Sequence, residues 1–189
     1  MLVRCLWGGL LLATLLFPLV AQASAEYVTV LTGFGHGNLN PPQLDYRDQH
    51  LAVAFGRDIK PFMQRRWHMH PPGDWDFRWE PFYSHVSSPG RNLEVGCMAS
   101  LRIGFPTRGR WEPYIAGGTG PMYTSQHTLE QSTQFNFVSY GAAGIEYRCS
   151  ERTAISMEVW TRHYSNGRIK EPNAGVDTHD WILGYTIYK

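Results

Sequence analysis

From residue 27 onward the apolar residues of this chain tend to recur at every second position. Trp75, Phe77 and Trp79 alternate with Asp74, Asp76, Arg78 and Glu80. Leu93, Val95, Cys97, Ala99, Leu101 and Ile103 alternate with Glu94, Gly96, Ser100 and Arg102. Ile155, Met157 and Val159 are separated by Ser156 and Glu158, and Trp181, Leu183, Tyr185 and Ile187 share one parity against Asp180, Gly184 and Thr186. Successive side chains of a strand point to opposite faces, so this period of two predicts strands with one apolar, aromatic face and one face of charges and glycines. Eight such segments are predicted, at 27–35, 49–57, 74–84, 92–105, 111–123, 134–149, 152–165 and 178–188.

In a soluble barrel the apolar face would fill the interior. In a membrane barrel it would face lipid and leave the polar face to the lumen. Three features favour the membrane version. Several segments exceed the 9–11 residues that a tilted strand needs to span a bilayer. Aromatics gather near segment ends, as in interfacial girdles. Connections also alternate, short at 106–110 and 150–151 and long at 124–133 and 166–177, as short periplasmic turns and long outer loops do. The segment 58–73 breaks this rhythm and reads as a periplasmic helix or a misplaced strand. The expected fold is therefore all-β, an eight-stranded antiparallel transmembrane β-barrel.

The first 25 residues read differently. Arg4 supplies a positive start, residues 10–20 are apolar except for Thr14 and Pro18, and Ala21-Gln22-Ala23 and Ala23-Ser24-Ala25 are small-x-small sites. This is the pattern of a cleaved secretory signal peptide, too short for a membrane anchor. Residues 26–189 then form a single barrel domain, exported to the outer membrane. The chain has 17 Lys and Arg against 16 Asp and Glu, and loss of Arg4 with the leader balances them. That balance, without any cluster of like charge, gives no footing for nucleic acid. Cys5 leaves with the leader. Cys97 and Cys149 fall two strands apart, roughly 9–10 Å, farther than the 4.4–6.8 Å between Cα atoms that a disulfide prefers.

The densest chemistry lies between residues 163 and 177: His163-Tyr164-Ser165-Asn166, then Pro172-Asn173, Gly175 and Asp177. Residues two apart in a strand project from one face, about 6.6 Å apart along it. His163 and Ser165 therefore project together, as a base and a hydroxyl nucleophile must. A following acid would orient the imidazole. Both share parity with Ile155, Met157 and Val159. If the termini are periplasmic, they stand on the lipid-facing side at the outer end of the seventh strand, a placement that suits a lipid of the outer leaflet.

These residues resemble the lipid A 3-O-deacylases of bacterial outer membranes (PagL). The resemblance rests on His-Tyr-Ser-Asn at 163–166, Pro172-Asn173, Gly175 and the acid at 177, with Glu112-Pro113-Tyr114 and Gly117-Gly118-Thr119-Gly120-Pro121 upstream. It implies an eight-stranded barrel that hydrolyses the ester-linked 3-hydroxyacyl chain at position 3 of lipid A. Ser165 would be nucleophile, His163 base and Asp177 acid. Asn173 would contribute to the oxyanion site, with Asn166 and Gly175 positioning loop or substrate. No metal or cofactor is implied. The partners implied are lipid A or lipopolysaccharide of the outer leaflet and the surrounding membrane lipids, and a homodimer stays open. The chain departs from the family pattern in carrying Asp rather than Glu at 177, Gly167-Arg168 where a small, apolar pair is expected, and Tyr188-Lys189 at its end.

Other readings remain at this point: a non-catalytic small barrel of the outer membrane, an esterase acting on phospholipid, and a soluble lipocalin-like binder with its apolar face inward. His68-Met69-His70 lacks a third placed ligand for a metal. Gly33-Phe34-Gly35-His36-Gly37 lacks dinucleotide spacing and a following helix, and reads as a strand end entering an outer loop.

Overall fold

A computed structural model of the chain describes residues 25–39, 44–126 and 132–189. The signal-peptide reading of residues 1–25 lies outside the described residues apart from Ala25. Eight strands follow in order: β1 (Tyr27–Leu39), β2 (Leu44–Asp58), β3 (Asp74–Ser88), β4 (Asn92–Gly104), β5 (Trp111–Thr124), β6 (Phe135–Arg148), β7 (Thr153–Ser165) and β8 (Val176–Tyr188). Each pairs antiparallel with its neighbours, and β8 returns to β1 to close the barrel. Closure leaves no free strand edge, which is what a sheet in hydrocarbon requires.

The two faces sort by polarity as the period of two demands. On β8, Leu183 is 60% exposed beside Ile182 at 0%. Phe34, Leu51, Ile115, Phe137, Met157, Trp181 and Leu183 all point outward. The interior holds the charges, in three tiers. Near the chain termini Arg102 meets Glu112 at 2.7 Å, Asp76 at 3.3 Å and Glu146 at 3.6 Å. In the middle Arg78 meets Glu80 at 2.8 Å, and Tyr140 donates to Glu80 at 2.9 Å. Near the opposite end Arg162 meets Asp48 at 2.7 Å, Glu94 at 3.0 Å and Asp180 at 3.3 Å. A one-residue slip would turn these charges into lipid, at about 2–4 kcal/mol for each Arg at the midplane. The apolar face therefore lies outside, which rules out the lipocalin-like arrangement and sets the barrel in the outer membrane.

Four strands run two or more residues longer than the pattern predicts, β3 reaching Ser88 and β8 starting at Val176. β1 continues to Leu39 and β2 begins at Leu44, so Gly33 to Gly37 lie inside a strand rather than at its end. The reason is inside the barrel. A Cβ on Gly35 would stand 2.1 Å from an oxygen of Asp48 and 2.3 Å from one of Asp180. Only a bare Cα leaves room for the carboxylates that Arg162 gathers. The irregular segment 58–73 contains helix α1 (Lys60–Trp67), with Pro61 in its first turn and His68 closing it in a left-handed conformation. It sits at the end of the barrel where β1 begins and β8 ends. Cys97 and Cys149 are free.

The loop rhythm that residues 59–73 break at one end is uneven at the other as well. At the end away from the termini, β3–β4 closes tightly, whereas the β5–β6 and β7–β8 connections are long. Those two long loops dock on each other. Ser132 donates from its hydroxyl to the Lys170 carbonyl at 2.7 Å and from its backbone to that of Pro172 at 3.2 Å.

Candidate functional site

The period of two places His163 and Ser165 on the outer face at the last turn of β7, where it leaves the barrel wall. On β8 the strand begins at Val176, two residues earlier than the pattern predicts, so Asp177 belongs to the sheet and not to the loop. It stands directly across from His163 in the β7–β8 ladder. Side chains so opposed have Cβ atoms about 4.5–5.5 Å apart. That short span brings the Asp carboxylate to the imidazole: His163 Nδ1 lies 2.7 Å from Asp177 Oδ1.

With Nδ1 engaged, Nε2 of His163 has no partner among the described residues. Ser165 is half-buried, and its hydroxyl likewise forms no hydrogen bond among them. The serine and the histidine share a face without a closed hydrogen bond. Such contacts are often long in the absence of substrate.

Gly175 lies beneath the imidazole at φ 79. A Cβ added there would come within 2.5 Å of His163 Cε1 and 3.1 Å of Nε2. Gly175→Ala would therefore both strain the backbone and push the ring out of the place that its bond to Asp177 fixes. We expect a loss of about 10²-fold in kcat, the scale of a misplacement of roughly 1 Å. The midpoint of unfolding should shift little, since the residue lies outside the ladder. A variant with wild-type turnover would remove this positioning role.

Asn173 and Asn166 have separate tasks. The backbone N–H of Asn166 donates to Asn173 Oδ1 at 2.8 Å. A backbone N–H can only donate, so Asn173 must accept through its oxygen, and its NH₂ is left with no partner among the described residues. The N–H groups of Gly167 and Arg168 are also unengaged there. These unengaged donors all lie on the loop that follows Ser165. Asn166 is fully buried, and its amide donates to the Lys170 carbonyl at 2.7 Å and to Ser132 Oγ at 3.2 Å. It ties the loop down and has no open face toward a substrate.

The upstream residues of the sequence motif lie elsewhere. Glu112 pairs with Arg102 inside the barrel, and Tyr114 donates to Glu158 at 2.7 Å. They hold the interior together and do not reach His163. Two contributors escaped sequence reasoning. Ser132 docks the neighbouring long loop, and no local motif marks it. Arg162 sits directly behind His163, and its only sequence signal was its parity: a charge on the lumen side of an outward-facing pair.

The family model for lipid A 3-O-deacylase (PagL) matches residues 50–186, from β2 through β8 and including the whole of the candidate site. Among solved structures, the chain is similar to the outer membrane enzyme PagL, with 18% identity, a TM-score of 0.59, and coverage of 86% of this chain and 99% of that one. It is also similar to Neisserial surface protein A (NspA), with 10% identity, a TM-score of 0.56, and coverage of 86% and 96%. At such identities both likenesses speak for the barrel alone. A search of curated protein sequences finds no match.

Proposed function

The chain belongs to the lipid A 3-O-deacylase (PagL) family, and from that premise we propose that it hydrolyses the 3-O-acyl ester of lipid A with Ser165 as nucleophile, His163 as general base and Asp177 as orienting acid. The observation that carries the reading is the 2.7 Å contact between His163 Nδ1 and Asp177 on the lipid-facing side of the barrel. It leaves Nε2 free on the same strand face as the Ser165 hydroxyl.

The reaction is a two-step acyl transfer. Ser165 Oγ attacks the ester carbonyl as His163 Nε2 takes its proton. Asp177 holds the ring and stabilises its charged form. The carbonyl oxygen becomes an oxyanion facing the amide of Asn173 and the free loop N–H groups. One such donor contributes about 3 kcal/mol. The tetrahedral adduct collapses, the sugar oxygen leaves with the proton from His163, and the acyl chain remains on Ser165. Water, deprotonated by His163 Nε2, then attacks the acyl carbonyl; the bond to Ser165 Oγ breaks, Oγ takes the proton back from His163, and the 3-hydroxy fatty acid is released. Every bond made or broken is served by these side chains.

The family premise and the outward placement of the histidine favour this reading over a phospholipid esterase or a barrel without activity. The test is expression in a Gram-negative host followed by mass spectrometry of lipid A, with a long-chain fluorophosphonate applied to the purified barrel. Loss of one 3-hydroxyacyl chain and labelling of the peptide that carries Ser165 are expected. Labelling with unchanged lipid A and an altered phospholipid profile would transfer the activity to phospholipid. Neither change would leave a barrel that is not an enzyme.

A further inference from the structure

Within the loop that follows the proposed nucleophile, Arg168 adopts φ 63. This is the left-handed region, which disfavours any residue with a Cβ. Gly167 beside it has the same φ at no steric cost. The loop is over-determined. Asn166 binds the Lys170 carbonyl, the Ile169 N–H donates to the Asn166 carbonyl at 3.2 Å, and Ser132 holds Lys170 and Pro172 from the neighbouring loop. The Asn166 carbonyl and the Ile169 N–H close a tight turn whose two central residues, Gly167 and Arg168, both take positive φ, so the turn fixes where the Arg168 side chain leaves the loop.

That side chain is an exposed guanidinium with no ion pair or hydrogen bond among the described residues. The Lys170 ammonium, two residues on, is also exposed and unpaired there, with Glu171 the acid that follows. Arg47, at the same end of the barrel, is by contrast paired with Asp45 at 2.9 Å. Two cations without a partner among the described residues thus lie within five residues of Ser165, on the loop that also carries the candidate oxyanion donors.

Resting on the deacylase reading above, we infer that Arg168, assisted by Lys170, binds the phosphate monoester on the glucosamine whose 3-O-acyl chain Ser165 attacks. Lipid A is a phosphorylated glucosamine disaccharide, and the 1-phosphate shares a ring with the scissile ester. The planar guanidinium matches phosphate with two parallel hydrogen bonds, which an ammonium cannot do. A phosphate held there would orient the ring and present the 3-O-ester to Ser165.

The experiment compares kcat/KM of the purified full-length barrel on lipid A carrying both phosphates, on 1-dephosphorylated lipid A and on 4′-dephosphorylated lipid A. Wild type should favour the first over the second by about tenfold and should not distinguish the first from the third. Arg168→Gly suits φ 63 and so removes the cation without adding strain. It should bring the preference for the 1-phosphate close to unity, and Arg168→Lys should retain part of it. The inference is overturned if wild type cleaves all three alike, if its preference follows the 4′-phosphate, or if Arg168→Gly keeps the wild-type ratio. Failure of wild type to cleave any of the three would overturn the deacylase reading itself, and this inference with it.

Discussion

Ser165→Ala is expected to lower deacylation by about 10⁴- to 10⁶-fold, the range in which loss of a nucleophilic serine falls when oxyanion donors and substrate binding remain. The hydroxyl is half-buried at the end of β7 and forms no hydrogen bond among the described residues. Its removal should therefore leave the barrel intact. Wild type and variant should show equal amounts of folded, heat-modifiable protein, and lipid A from cells making the variant should keep all its acyl chains. Non-additivity supplies the stricter check. In the proposed mechanism His163 acts through Ser165, so His163→Ala in the Ser165→Ala background should cost little more, although each alone should cost nearly the whole effect. Activity of Ser165→Ala within tenfold of wild type, or losses that simply multiply, would exclude the serine mechanism.

Arg162→Leu should produce the largest loss of stability, about 3–5 kcal/mol. Arg162 is fully buried, and its guanidinium is shared among Asp48, Glu94 and Asp180, while Nε also donates to Thr178 at 3.2 Å. Tyr46 adds a short hydrogen bond to Glu94. Removing the one cation leaves three carboxylates facing each other in a closed space. The readout is the urea midpoint of the refolded barrel in detergent, followed by the shift in gel mobility on heating. If charge and not shape is the cause, Arg162→Leu combined with Asp48→Asn and Glu94→Gln should recover most of the midpoint. An equally low midpoint in the combined variant would assign the loss to packing. Since Arg162 lies between Thr161 and His163 on β7, the single variant should also lose turnover through a loosened β7–β8 pair.

Strand identity, the count of eight and the parity that sends His163 and Ser165 outward were legible along the chain. Each depends only on the alternation of neighbours, and alternation is a property of local sequence. The same parity placed Glu158 and Asp180 on the inner face. The ends of the strands were less legible. β1 and β2 extend beyond their apolar patterning, because Gly33, Gly35 and Gly37 look like loop residues until Asp48 and Asp180 are seen on either side of Gly35. Helix α1 lay in a segment that the strand rhythm could mark as irregular but not describe.

The candidate site divides along the same line. Its residue types and their order within fifteen positions belong to the sequence by itself, as does their resemblance to a deacylase motif. Tertiary structure alone decided that Asp177 stands across the ladder from His163, that Gly175 must be bare to admit the imidazole, that Asn173 accepts from the backbone and so turns its donors free, and that Ser132 from another loop holds the roof. It also decided that Glu112 and Tyr114 serve the interior. The physical reason is range. Periodicity and turn chemistry act between residues a few positions apart, whereas register, close approach and the pairing of buried charges are settled only when strands distant in the chain are brought side by side.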